Sequence, residues 1–194
     1  MILTSRETGA GEPIVILHGL FGSARNWQSI AQKLSISNHI FTIDLPNHGS
    51  SGWTNCMSYD NLSRIISKFI VENNIEGATV LGHSLGGKLA MVIALTKPGL
   101  VGRLIVVDIA PVKYDHDNLS VVKALECVDL SLVKTRGDAD RYLKKNIRQQ
   151  AMRSFLLQNL VSDGDGYKWR INIPAIKANL YKIGGFPSFA DDIF

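Results

Sequence analysis

The sequence predicts an α/β protein with three layers, in which helices cover both faces of a mostly parallel sheet. Along residues 1–111, short apolar runs rich in β-branched residues alternate with stretches of helical periodicity. This alternation is the pattern of right-handed βαβ units. The chain has 194 residues, of which 45% are apolar, so it can bury one good core with a small appended lobe.

Four apolar runs predict the parallel strands. They are residues 13–18, 39–45, 78–81 and 103–109. The first is a continuous apolar run closed by Gly19, as expected of a strand that is buried on both faces. Residues 1–8 are expected to add an antiparallel edge strand.

Helical periodicity separates these runs. Apolar residues recur at helical spacing at Trp27, Ile30, Ala31 and Leu34, and again at Leu62, Ile65, Ile66, Phe69 and Ile70. The stretch Leu85–Thr96 is apolar nearly all round and is stopped near Pro98. A helix of that kind is expected to be buried.

The strand signal disappears after Pro111. Residues 112–185 are expected to be helical, apart from an extended piece at residues 167–173 that follows the turn-forming residues 162–166. We therefore predict an α/β core in residues 1–111, a helical cap or lid in residues 112–185, and the start of a return to the core in residues 186–194.

The most informative motif is Gly82-His83-Ser84-Leu85-Gly86-Gly87, between the third strand and the following helix. It fits G-x-S-x-G in its strand–turn–helix context, where the tight turn presents the serine hydroxyl outward. The glycines at 82 and 86 are expected because a Cβ at either position would crowd the strained serine. The flanking strand and helix favour this interpretation over a chance match in a glycine-rich loop.

A serine nucleophile needs backbone N–H donors for the oxyanion that it generates. The amide of Leu85 is the first candidate, because it begins the helix after Ser84, where the helix dipole favours negative charge. The second candidate is the amide of Leu20, in the glycine-rich loop after the first core strand, with Phe21 as the alternative.

Asp108 is the candidate carboxylate that would orient a base. It lies near the carboxyl end of the strand adjacent to the serine strand, the edge where open α/β sheets place their sites. Burying an aspartate after four apolar residues is costly without a purpose, although an aspartate that merely starts a turn before Pro111 is the alternative. Asp44 is expected to shape the loop of residues 45–49.

No histidine is a convincing base. Chain order in this fold class is serine, acid, histidine, and only His116, in the charged start of the cap, follows Asp108. The others are expected to be structural, to lie too early in the chain, or to point away from Ser84: His18, His39, His48 and His83.

Four segments resemble, in order, the α/β-hydrolases of the YbfF-type bacterial esterase group. They are 18–23 (His-Gly-Leu-Phe-Gly-Ser), 47–49 (Asn-His-Gly), 82–88 (Gly-His-Ser-Leu-Gly-Gly-Lys) and 108–112 (Asp-Ile-Ala-Pro-Val). The resemblance implies a serine hydrolase that cleaves short- to medium-chain acyl esters or thioesters without a metal or organic cofactor. Ser84 matches the nucleophile of that group, and Asp108 matches its acid.

Members of that group continue past the cap with two more parallel strands, and their catalytic histidine follows the last strand. This sequence stops at Phe194. We therefore expect a C-terminally truncated form of the fold that lacks the base. The strand at residues 103–109 would then have an exposed apolar edge that invites self-association.

Composition excludes other classes of protein. No uncharged apolar stretch reaches the ~18 residues that span a bilayer, and the first residues lack a signal peptide's apolar segment. Cys56 and Cys127 are interpreted as free thiols, as expected in a reducing cytoplasm. We expect no membrane partner, and no nucleic-acid partner because a known binding motif is lacking. Four basic residues at helical spacing form a stripe: Arg141, Lys144, Lys145 and Arg148. Such a stripe is typical of a solvated helix face, and binding of an anionic substrate or an acyl-carrier partner is the alternative.

Three other functions stay open from the sequence. Residues 82–88 also fit the nucleotide-binding pattern G-x-x-x-x-G-K, but Leu89 stands where a Mg²⁺-binding hydroxyl is required. The same fold also carries C–C bond lyases. The third possibility is a non-enzymatic scaffold.

Overall fold

The computed structural model describes residues 1–114 and 118–189. Its main sheet has five strands in the order β1-β3-β2-β4-β5. They are β1 (Ser5–Thr8), β2 (Glu12–Leu17), β3 (Asn38–Ile43), β4 (Ala78–His83) and β5 (Val101–Val107). β1 is antiparallel to β3, and the other neighbours are parallel. The mostly parallel sheet with an antiparallel edge strand is confirmed.

Seven helices accompany the strands in the described residues. They are α1 (Gln28–Leu34), α2 (Tyr59–Glu72), α3 (Leu85–Thr96), α4 (Asn118–Glu126), α5 (Arg136–Lys144), α6 (Gln150–Leu157) and α7 (Ile173–Gly184). The apolar periodicity predicted α1, α2 and α3, and Ser58 caps the start of α2 by accepting the amide of Asn61.

Side-chain alternation along β2 sends successive residues to the two faces of the sheet. Ile14 and Ile16 pack against Ala31 of α1. Val15 and Leu17 face the other way, into the larger core that contains the apolar side chains of α2 and α3. The three-layer arrangement is therefore confirmed, and α3 is apolar nearly all round because it lies between the sheet and α2.

β5 forms one edge of the sheet in the part of the chain that the structure describes. It pairs with β4 only, and its side chains Leu104 and Ile105 remain 41% and 43% exposed. An apolar parallel strand with an unpaired side is a template for another strand.

A hairpin interrupts the helices that follow Pro111. Its strands are β6 (Leu160–Asp163) and β7 (Gly166–Trp169), joined at Gly164, where φ is +58°. The prediction of one extended piece at residues 167–173 was therefore wrong at both ends. Strand β6, which precedes the turn, was not predicted. Helix α7 begins at Ile173 because Asn172 caps it by accepting the amide of Ala175.

The apolar side chains after Pro111 join those of the sheet in one continuous core. The division into a core and a cap therefore stays a prediction. Within residues 1–114 and 118–189, every helix is too short or too polar to cross a membrane.

Candidate active site

Strained backbone collects at the carboxyl ends of the four parallel strands. Phe21, Asn47, Ser84 and Asp108 have φ angles of +62°, +67°, +51° and +53°, and they follow β2, β3, β4 and β5 respectively. Because these strands are parallel, the four residues lie at one edge of the sheet. Such conformations cost about 1–3 kcal/mol each for ordinary residues and cluster at functional sites.

Ser84 occupies the turn between β4 and α3. Its ψ is −117°; its N–H donates to the carbonyl of Val107 (3.2 Å), and its own carbonyl accepts the N–H of Lys88 (3.0 Å). The side chain is partly exposed and lines a cavity of about 370 Å³. No residue that the structure describes forms a hydrogen bond with its hydroxyl.

Two glycines allow this turn to close, as predicted, but the nearest atoms that a Cβ would meet belong to other backbone segments and not to Ser84. A Cβ built on Gly82 would lie 2.2 Å from the carbonyl oxygen of Gly86. One built on Gly86 would lie 2.3 Å from the carbonyl oxygen of Leu17. The start of α3 thus packs directly on the backbone of β4 and β2, and only glycine permits this approach.

The loop after β2 lies against Ser84. A Cβ built on Gly19 would be 3.2 Å from the Cβ of Ser84. Leu20 and Leu85 line a small cavity together with Ser84. The amide of Phe21 is committed elsewhere, since it donates to Nε2 of His48 (3.2 Å). This contact disfavours the alternative Phe21, and Leu20 stays the predicted donor of this loop.

Both described histidines of these loops serve as hydrogen-bonded supports. Nδ1 of His18 donates to the carbonyl of Gly19 (2.8 Å), and its Nε2 accepts the amide of Leu45 (2.9 Å). Nδ1 of His48 likewise donates to the carbonyl of Pro46 (2.9 Å). Burial lowers the pKa of His18 to about 3 and the pKa of His48 to about 4. Both rings are neutral with both nitrogens engaged, so neither can act as the base.

Asp44 shapes the neighbouring loops, as predicted. Its two carboxylate oxygens accept the amides of Ala24 (2.7 Å) and Ser50 (2.8 Å). Gly49 packs so closely that a Cβ there would lie 2.0 Å from the carboxyl carbon of Asp44. This carboxylate is a structural acceptor.

Asp108 lies just beyond β5 and is 88% exposed. Its carboxylate is 3.9 Å from Nε2 of His83, whose ring lies near Trp27 on the face of the sheet that α1 covers. The argument from the cost of burying Asp108 was wrong, because its carboxylate is exposed and β5 is an edge strand among the described residues. The position at the carboxyl edge of the sheet agrees with the prediction.

No base for Ser84 is found among the described residues. His39 lies at the opposite end of the sheet and contacts Glu7 at 3.5 Å. His116, the only histidine after Asp108, lies outside the described residues. The described part of the chain also holds no group of three or more His, Cys, Asp or Glu side chains placed to bind a metal ion.

Lys88 is a site residue that the sequence interpretation missed. Its buried ammonium donates to the carbonyls of Val112 (2.7 Å), Gly184 (2.9 Å) and Gly185 (2.8 Å), and burial lowers its pKa. An ammonium has three donors, so all three are used and none is left for a phosphate. The sequence signal for a buried lysine was available, because Lys88 is the single charged residue of the otherwise apolar helix α3.

Part of the lining of the 370 Å³ cavity is apolar. It combines Trp27 and Ile30, from the α1 side, with Met152 and Phe155 of α6. An apolar cleft with a few polar groups at one end is typical of small-molecule sites.

Comparisons with known proteins agree with this geometry. The sequence model of the alpha/beta hydrolase fold family matches residues 12–183. The sn-1-specific diacylglycerol lipase ABHD11 of Danio rerio is 38% identical over 189 residues, which cover 93% of this chain and 60% of that protein. Esterase YbfF of Escherichia coli (strain K12) is 32% identical over 176 residues, which cover 89% and 67%.

A solved structure of a marine microorganism esterase matches with a TM-score of 0.94 at 38% identity and covers 97% of this chain and 76% of the solved chain. These findings confirm the predicted resemblance and fold class. The chain spans about 60% of the length of the first curated relatives that it matches.

Proposed function

The chain belongs to the α/β-hydrolase family, and on that premise we propose that it is a serine hydrolase of the carboxylesterase or thioesterase type. Its relatives include esterases and lipases. The observation that carries the proposal is the strained Ser84, which lines a cleft and lies in one small cavity with Leu20 and Leu85. Its substrate would be an acyl ester or thioester, with no cofactor.

In the proposed reaction, Oγ of Ser84 attacks the acyl carbonyl and its proton passes to a base. The oxyanion is held by the amides of Leu20 and Leu85. The protonated alcohol or thiol then leaves, and water hydrolyses the acyl-enzyme. Asp108 is the proposed carboxylate that orients the base. As the resemblance implies, we propose that this base is a histidine outside these 194 residues; among the described residues no histidine hydrogen-bonds the hydroxyl of Ser84.

The test is covalent labelling by a fluorophosphonate probe. We expect Ser84-dependent labelling that is slow but measurable, because the oxyanion donors and binding cleft retain part of the catalytic power when a triad member is absent. Ser84→Ala should abolish labelling, whereas Ser162→Ala, in the exposed hairpin, should label like the wild type. Absence of labelling in the folded wild type would favour an inactive scaffold and overturn the proposal for this chain.

We further propose that the 194-residue chain self-associates through the unpaired side of β5. Ile105→Lys should shift the protein towards monomer, because a lysine on an edge strand opposes strand pairing. Ile36→Lys, at an exposed apolar position outside β5, is the matched control and should leave the association unchanged. Light scattering after size exclusion measures the mass, and a wild type that stays monomeric at high concentration contradicts the proposal.

A further inference from the structure

A second cavity adjoins the cleft that holds Ser84. It has a volume of about 510 Å³ and is lined by Arg25, Asn26, Arg136 and Gln158. Asn26 also lines the cleft, so the two spaces share one wall. Part of the lining of the cleft is apolar, whereas every residue of the second cavity is polar.

Hydrogen bonds fix the floor of this cavity. The Asn26 side chain accepts the amide of Ser23 (2.7 Å) and donates to Oε1 of Gln158 (2.6 Å). Arg136 donates to the carbonyl of Leu157 (2.6 Å), the last residue of α6, and to that of Leu160 (2.8 Å), the first residue of β6. These contacts explain where Arg136 lies, but they use neutral acceptors and leave its charge without a carboxylate partner.

The charge around the cavity is positive. Neither Arg25 nor Arg136 belongs to an ion pair within residues 1–114 and 118–189, and no acidic side chain lines the cavity. The segment 118–189, which supplies one of its walls, carries 12 Lys or Arg and only 6 Asp or Glu. Guanidinium groups in such a setting recognise phosphate or carboxylate through charge-assisted hydrogen bonds.

We propose that Arg25 and Arg136 form a subsite for an anionic group, phosphate or carboxylate, carried by the substrate. This inference rests on the proposed function, since the substrate's apolar part would lie in the cleft between Trp27 and Phe155. The anionic group would then extend past Asn26 into the second cavity. The site would accordingly prefer amphiphilic esters or thioesters with a negative end over neutral ones.

Calorimetric titration at low ionic strength tests the subsite without relying on turnover. The probes are octyl phosphate, octanoate and the neutral 1-octanol, whose alkyl chains are nearly equal in length. We expect octyl phosphate to bind the wild type roughly tenfold more tightly than 1-octanol, because a charge-assisted contact is stronger than a neutral one. Arg25→Gln should remove most of that preference and leave the affinity for 1-octanol unchanged.

Arg64→Gln is the matched control, since Arg64 is exposed on α2 and contacts Asn61; it should bind like the wild type. Arg136→Lys keeps the charge and should retain the preference, which separates charge from the structural role of this arginine. A stronger response to octyl phosphate than to octanoate identifies the anion as phosphate, and the reverse order identifies a carboxylate. The subsite proposal is overturned if the wild type binds all three probes with equal affinity. It is also overturned if Arg25→Gln weakens the binding of all three probes equally.

The subsite and the proposed chemistry fail separately. Ser84→Ala should keep the preference for octyl phosphate, because the serine does not contact the second cavity. If the wild type prefers octyl phosphate but is not labelled by the fluorophosphonate probe, the subsite proposal is supported and the hydrolase proposal is contradicted.

Discussion

Acidification from pH 7 to pH 5 is expected to lower the free energy of unfolding by roughly 4 kcal/mol through two buried histidines alone. His18 and His48 are neutral in the folded protein, with pKa values lowered by burial to about 3 and about 4. In the unfolded chain each histidine would have a pKa of about 6.5. Below that pH the unfolded state binds protons that the folded state does not bind, so the free energy of unfolding falls as the pH drops.

This loss of unfolding free energy should be absent above about pH 7 and should level off only near the pKa values that the two histidines have in the folded state. Because domains are stable by about 5–15 kcal/mol, a loss of roughly 4 kcal/mol should leave the protein much closer to unfolding at pH 5 than at pH 7. Urea unfolding followed by circular dichroism at pH 7, 6 and 5 measures the effect. His48→Gln keeps an acceptor oxygen for the amide of Phe21 and should reduce the pH dependence by about half.

His39→Gln is the control, since His39 is partly exposed beside Glu7, and its pH dependence should match that of the wild type. Equal stability of the wild type at pH 7 and pH 5 would contradict the assignment of two neutral buried rings. The pH experiment therefore tests the hydrogen-bonded support of the Leu20 loop directly.

The sheet could be predicted because the signal is local. Residues 13–18 and 78–81 are short apolar runs, and burial on both faces leaves such strands no polar alternation. The elbow at Ser84 could be predicted for the same reason, since its glycines and flanking elements are contiguous in the chain. Strand boundaries shifted by one or two residues, as β5 shows by starting at Val101.

The contacts between distant segments could not be predicted. Lys88 meets the carbonyls of Val112, Gly184 and Gly185, and no local pattern marks a carbonyl as an acceptor for a remote amine. Asn159 similarly donates to the carbonyl of Phe21 across 138 residues. The exposure of Asp108 depends on which strands pair beside β5, and strand pairing is a property of the whole sheet.

Gly86→Ala is expected to destabilise the fold at the point where α3 meets β2. Helix propensity alone would favour alanine by about 1 kcal/mol, since Gly86 lies in the first turn of α3. The new Cβ would however lie 2.3 Å from the carbonyl oxygen of Leu17 and 2.6 Å from that of His18. Both are backbone atoms of β2 and its following loop, which cannot move aside by a rotamer change.

Overpacking of this kind costs about 1–3 kcal/mol or more, so sterics should outweigh propensity and Gly86→Ala should lower both the unfolding free energy and fluorophosphonate labelling of Ser84. Gly99→Ala is the matched control, because a Cβ there meets nothing within 4 Å and its effect should stay within about 0.5 kcal/mol. Urea unfolding of both variants provides the comparison. If Gly86→Ala is as stable as Gly99→Ala, the close approach of α3 to β2 is wrong, and with it the placement of Ser84 beside the Leu20 loop.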